Sequence, residues 1–123
     1  MPDPLVQVFG LPGDQGTRAA VRFFKERRIA IQQIDLGRKP IAAGELRRFV
    51  EKLGARSLLD DSSRQFREAG LGYLRMDDAE IVERLLRTPA LLRLPLVRVG
   101  YGVAAGRDEA AWRRLLTPPD AGP

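Results

Sequence analysis

The chain contains no cysteine and no histidine, and those two absences exclude more chemistry than any motif in it suggests. Without cysteine there is no thiol nucleophile, no disulfide exchange and no sulfur redox switch. Without histidine there is no Ser-His triad, and zinc sites built on His or Cys fall with it. A metal site would have to be all-carboxylate, and no spacing of Asp and Glu here suggests one. Aromatics are sparse at 7% of residues, and none is interleaved with the basic doublets as a base-stacking surface would need. No run approaches the roughly 18 apolar residues of a membrane span, and the opening residues lack the apolar core of a signal peptide. The expected location is the cytoplasm.

What is present is an ordinary globular composition, 44% apolar and 30% charged over 123 residues. That length suits one domain, 1–123, able to bury a core without disulfides or metal. Net charge is +5, and the basic residues are nearly all Arg, with Lys only at 25, 39 and 52. Arginine forks match phosphate, which opens an anion or nucleic-acid reading. The doublets Arg27-Arg28, Arg47-Arg48 and Arg113-Arg114 are dispersed, however, and suit solvated helix faces better. Nucleic acid is therefore not the expected partner.

Along the chain, Leu5–Phe9 reads as a buried central strand. Gly10–Gly13 is turn chemistry, and Gln15–Arg28 is an amphipathic helix with Ala19, Ala20, Phe23, Phe24 and the Arg27 stem on one side. Ile29–Leu36 is a second strand, parallel to the first through a right-handed βαβ crossover. Helices are expected at Glu45–Leu53, Arg64–Ala69 and from Asp77-Asp78 to Arg87, with a polar loop at Ser57–Ser62. Leu91–Leu96 leads into a third strand, Val97–Val99. A turn at Tyr101-Gly102 joins it to a fourth, Val103–Ala105. Asp108 caps a last helix, Glu109–Leu116, whose Trp112 belongs to the core. Met1–Pro4 and Thr117–Pro123 read as flexible termini. The sum is a four-stranded mixed sheet flanked by helices.

The stretch with most chemical content is Val6–Ala20, VQVFGLPGDQGTRAA. A strand meets a Pro-Gly turn, Asp14 follows, and a helix opens with Thr17 and Arg18. Backbone N–H groups and the helix dipole at such a point favour an anion.

In order and spacing the chain resembles the arsenate reductase (ArsC)/Spx family of the thioredoxin-like fold. That family opens with an apolar strand and Asn-Pro-x-Cys-Ser-x-Ser-Arg; here Leu11 to Arg18 stand in that place and keep Pro12, a hydroxyl at Thr17 and Arg18. Ile31–Leu36, Glu45-Leu46, Phe66-Arg67-Glu68-Ala69-Gly70-Leu71 and Thr88-Pro89-Ala90-Leu91-Leu92 match further family segments, including its helical insert. Pro95 falls at the family's cis-proline and Gly106 at the glycine before its last helix.

The resemblance implies a thioredoxin-like fold over about residues 5–116, and a site that has largely been lost. In the reductases a cysteine attacks arsenate while three arginines hold the oxyanion. Here the cysteine position is Asp14. The first arginine position falls near Ser62, with Arg64 two residues on. The second is Leu94, with Arg93 beside it and expected to face the other way. Only Arg107 fits the third.

Asp14 has two readings. As an N-cap it would satisfy N–H groups two or three positions on. As a proton shuttle opposite Pro95 it would have to carry a proton where a helix N-terminus and Arg18 favour the charged carboxylate, so the cap is the better expectation. Thr17, Arg18 and Arg107 are the candidates for holding an anion, or else the arginines form structural ion pairs, perhaps with Asp14 itself. The resemblance accordingly implies a non-catalytic protein that binds a protein partner or a small anion. The partner could be of the regulatory, Spx-like type or of the nitrogenase-associated type, whose Pro-Gly-Cys-x-Asn-Thr-Arg resembles Pro12 to Arg18. The alternative is a reductase or transferase that uses glutathione or another external thiol.

Overall fold

The computed structural model describes residues 5–117. The lead-in 1–4 and all of the expected flexible tail except Thr117 lie outside the described residues.

Strand β1, Val6–Gly10, is central. Its alternation is what a two-faced buried strand requires: Val6 and Val8 face one side, Phe9 the other, and all three are buried. The Leu11–Asp14 turn then reverses the chain into helix α1, Gln15–Glu26. The expected helix runs two residues too far, because α1 ends in a tight cap. Arg28 adopts φ 57°, and the N–H of Ile29 bonds back to the carbonyl of Phe24 at 3.0 Å, the six-to-one pattern of a left-handed helix terminus. Strand β2, Ile31–Asp35, begins only after this cap and lies parallel to β1, Val6 opposite Ile31.

Helix α2, Ala43–Leu53, is followed by a compact segment of short turns and helices: a 3-10 turn at Arg56–Leu58, α3 at Arg64–Glu68, another 3-10 turn at Leu71–Tyr73, and α4 at Asp78–Arg87. One expectation fails here. Residues 57–62 are not simply a polar loop, because Leu58 and Leu59 are buried. Leu59 forms an antiparallel bridge to Leu92. The N–H of Arg93 donates to Leu58 O at 2.7 Å and that of Asp60 to Leu91 O at 2.8 Å. Two adjacent leucines inside a polar stretch are enough to stitch the insert to the approach of the third strand, and burial outweighs the local turn chemistry.

Strand β3, Leu96–Val99, pairs antiparallel with β1, and β4, Gly102–Ala105, antiparallel with β3; the order is β2-β1-β3-β4. The hairpin turn is Gly100–Tyr101 and not Tyr101-Gly102. Gly102 already pairs with Val99, and Gly100 supplies the positive φ, +60°, that the two-residue turn needs. Helix α5, Glu109–Leu116, closes the domain, capped by Asp108, whose carboxylate accepts from the N–H of Ala111 at 3.1 Å.

The sheet separates two cores. On one face Phe23 and Phe24 of α1 meet Trp112 of α5 over Val6, Val8, Val97 and Val99. The Phe23 and Trp112 ring centroids are 5.3 Å apart, and the guanidinium of Arg27 lies 3.6 Å over the Phe23 ring. On the other face Phe9 and Leu96 pack with Leu46 and Phe49 of α2 and with Leu58, Ile81 and Leu85. The βαβ unit thus carries one core, and the helical insert the other.

Candidate functional site

The site is built where three segments meet: the β1–α1 turn, the loop before β3, and the end of β4. Leu11 O accepts from the N–H of Asp14 at 3.0 Å, so Pro12 and Gly13 are the central residues of a β-turn, positions for which both are suited. Asp14 then sits at the N-cap of α1 with extended backbone, φ −81° and ψ 129°. Its Oδ2 accepts from the backbone N–H of Thr17 at 2.8 Å and from the Thr17 hydroxyl at 2.9 Å. Thr17 is buried, the sole buried polar side chain among the described residues. Both of its donors therefore depend on Asp14.

Across from this cap, Pro95 follows a cis peptide bond with Leu94 and is buried. The contact between the two sides is backbone on backbone. A Cβ built on Gly16 would lie 2.7 Å from Leu94 O and 3.2 Å from Pro95 Cδ, so only glycine lets the first turn of α1 reach the Pro95 loop. Gly10 plays the same part beneath: a Cβ there would fall 2.2 Å from the Thr17 hydroxyl oxygen. The third side is fixed by the N–H of Gly106, which donates to Pro95 O at 2.9 Å. Arg107 follows directly and is exposed.

The candidate anion ligands are not gathered at one point. Arg18 donates its Nε to Pro12 O at 3.0 Å and lines a groove with Val21, Arg22, Lys25 and Gln33; neither Pro95 nor Arg107 belongs to that groove. The reason is helical geometry. Gly16 faces Pro95, and a residue two positions on is rotated about 200° around the helix. Arg18 makes no ion pair with Asp14 or with any other acid among the described residues. Arg64 is the first residue of α3 and bonds Glu68 Oε1 at 2.6 Å.

Arg93 departs most from its expectation. Strand alternation does not govern it, because β3 starts only at Leu96. Its side chain packs beside Gly106, where a Cβ would come within 3.0 Å of it. The guanidinium donates to Ser57 O and Leu59 O, both at 3.1 Å, and lies 3.8 Å from Asp61. It ties the insert to the site rim through two of its five N–H donors. The sequence signal that could have found it is the buried Leu58-Leu59 pair, whose carbonyls need donors.

Chemically, this arrangement offers shape, backbone and a capped carboxylate, but no thiol. One oxygen of Asp14 is committed to Thr17, and the described residues contain no group of His, Cys, Asp and Glu able to hold a metal. No helix among them is long and apolar enough to cross a membrane.

A parallel β1–α1–β2 unit, an antiparallel β3–β4 hairpin entered through a cis-proline, and a helix N-terminus facing that proline define a thioredoxin-like domain with a helical insert. The family model for the ArsC family matches residues 10–115, and the chain belongs to that family. The chain is 29% identical over 107 residues to an arsenate reductase of Neisseria meningitidis serogroup A, covering 85% of this chain and 92% of that protein. Among solved structures, the arsenate reductase from Vibrio cholerae superposes with a TM-score of 0.82 at 20% identity, over 94% of this chain and all of the other. An ArsC-related protein from Brucella melitensis does so at 0.70 and 18%, over 93% and 96%. These structural likenesses speak to the fold.

Proposed function

We propose that this protein is a non-catalytic member of the ArsC family that acts by binding, either to a protein partner of the regulatory or nitrogenase-associated type or to a small anion. The observation that carries the reading is the state of the nucleophile position. Asp14 Oδ2 is held by two hydrogen bonds from Thr17, as a helix cap and not as a reacting group. The supporting observations concern the arginines. The positions expected to carry the first two are Ser62 and Leu94, Arg64 is paired with Glu68, and Arg93 is held by main-chain carbonyls. Arg107 alone stands exposed at the Pro95 rim. A cytoplasmic location belongs to the same proposal.

The activity named for the Neisseria and Vibrio relatives, arsenate reduction, would here require an external thiol such as glutathione, since the chain has no cysteine. Arsenate reduction measured with glutathione and glutaredoxin tests this directly. The expected result is no turnover, both for this chain and for Asp14→Cys, because restoring sulfur leaves the oxyanion with one of its three arginines, Arg107. Turnover that disappears with Arg107→Ala would refute the binding reading in favour of the external-thiol enzyme.

A further inference from the structure

The strongest unassigned feature lies on the far flank of α1 from Pro95. Arg18, Arg22 and Lys25 are all exposed and line one open groove of ≈ 320 Å³ together with Val21, Pro12 and Gln33; Glu26 stands at its end as the one acid. None of the three cations has a carboxylate partner among the described residues. The floor between them is apolar, and the wall opposite is Gln33 of the edge strand β2.

That edge is guarded only at its last residue. Natural edge strands are usually blunted by Lys, Pro or inward charges. Ile31–Asp35 has neither Lys nor Pro and one charge, Asp35 at its last position beside Arg38; the four residues before it are Ile-Gln-Gln-Ile. It ends the sheet with nothing paired beyond it.

From these features we infer that the β2 edge and the basic flank of α1 form a docking site for an acidic peptide segment in extended conformation. The segment adds as a fifth strand to β2 and sets alternate carboxylates against α1. The spacings agree. Arg18 and Arg22 are about 6 Å apart along the helix axis, close to the roughly 6.6 Å between alternate residues of a strand. Charge selects the occupant: a second copy of this chain, at net +5, is repelled, and an acidic segment is attracted. The site names a partner class for the binding reading above and rests on it. Its test leaves Asp14 and the Pro95 rim untouched, so arsenate turnover would refute that reading and failure of the peptide would refute this surface.

The experiment is fluorescence anisotropy of a labelled ten-residue peptide alternating Glu with Val and Thr, titrated with the full chain, alongside amide hydrogen exchange of residues 31–35. The expected result is saturable binding, weakened roughly tenfold or more by Arg22→Glu with Lys25→Glu. Exchange should slow at alternate β2 amides. If charge reversal perturbs α1, Arg22→Gln with Lys25→Gln should weaken binding in the same direction. Equal binding of the Gln-for-Glu peptide, binding unaffected by the variants, or binding without protection of β2 would overturn the proposal. So would tighter binding of a single-stranded oligonucleotide of equal charge, or a concentration-dependent dimer that protects β2.

Discussion

Replacing Asp14 by alanine tests whether this residue serves as a structural cap. The carboxylate accepts two hydrogen bonds through one oxygen, 2.8 Å from the Thr17 N–H and 2.9 Å from its hydroxyl. Removing an N-cap acceptor costs about 1 kcal/mol. The hydroxyl adds to this because Thr17 is only 4% exposed, and a buried donor stripped of its partner costs about 1–3 kcal/mol. Rotation of the hydroxyl toward a carbonyl of the preceding turn recovers part of that second term, so the expected loss is about 2 kcal/mol. For a chain of this length that is a fall in Tm of about 6–10 °C. Asparagine keeps the acceptor and caps as well as aspartate, so Asp14→Asn should stay within about 0.5 kcal/mol of the parent. Asp14→Cys, a poor acceptor, should fall near alanine. Urea midpoints at unchanged m give the values. A loss under about 0.5 kcal/mol for alanine, or an asparagine variant as weak as alanine, would refute the cap and return Asp14 to consideration as a functional carboxylate.

Other residues supply tests of the same geometry. Gly16→Ala should destabilise by about 1–2 kcal/mol, read by urea denaturation, although glycine-to-alanine within a helix ordinarily gains up to about 1 kcal/mol. The sign reverses because the new methyl meets Leu94 O at 2.7 Å. Gly44→Ala, where a Cβ meets nothing within 4 Å, is the control and should be neutral or stabilising. Arg28→Gly should raise stability by about 0.5–1 kcal/mol, since φ 57° strains any residue with a Cβ; a lower Tm would contradict the cap assigned to α1. Arg98→Met should cost about 1–2 kcal/mol in urea midpoints. Arg98 Nε and Glu45 Oε2 lie 3.1 Å apart with side chains 21% exposed, and the loss leaves Glu45 without that partner. Adding Glu45→Gln should recover most of it, and strict additivity of the two would refute the coupling.

What was legible in the sequence followed from residues whose local chemistry and tertiary role agree. Val6 and Val8 alternate as a central strand must, and Asp14, Asp77 and Asp108 each precede a helix that they cap through side-chain oxygens. Phe23, Phe24 and Trp112 sit at core spacings and meet there. What escaped depended on segments distant in sequence. Leu58 and Leu59 stand in a polar stretch, and only the bridge to Leu92 explains their burial. Strand alternation does not govern Arg93, which lies in a segment that is not yet strand, and its partners are carbonyls 34 and 36 residues earlier.

The candidate site divides along the same line. That Asp14 occupies the cap was readable from one residue and its neighbours. Whether Arg18 could share a ligand with Arg107 was not, because the answer lies in which side of α1 faces Pro95. Gly16 decides it. Its missing side chain is what allows the first turn of α1 to seat against Leu94 O, and once that face is fixed the helix carries Arg18, Arg22 and Lys25 to the flank beside β2. The close seat of α1 at Pro95 and the placing of its basic residues beside β2 are therefore two consequences of one packing contact. Any ligand drawn to the basic residues of α1 will be held beside the sheet edge, away from the Pro95 rim.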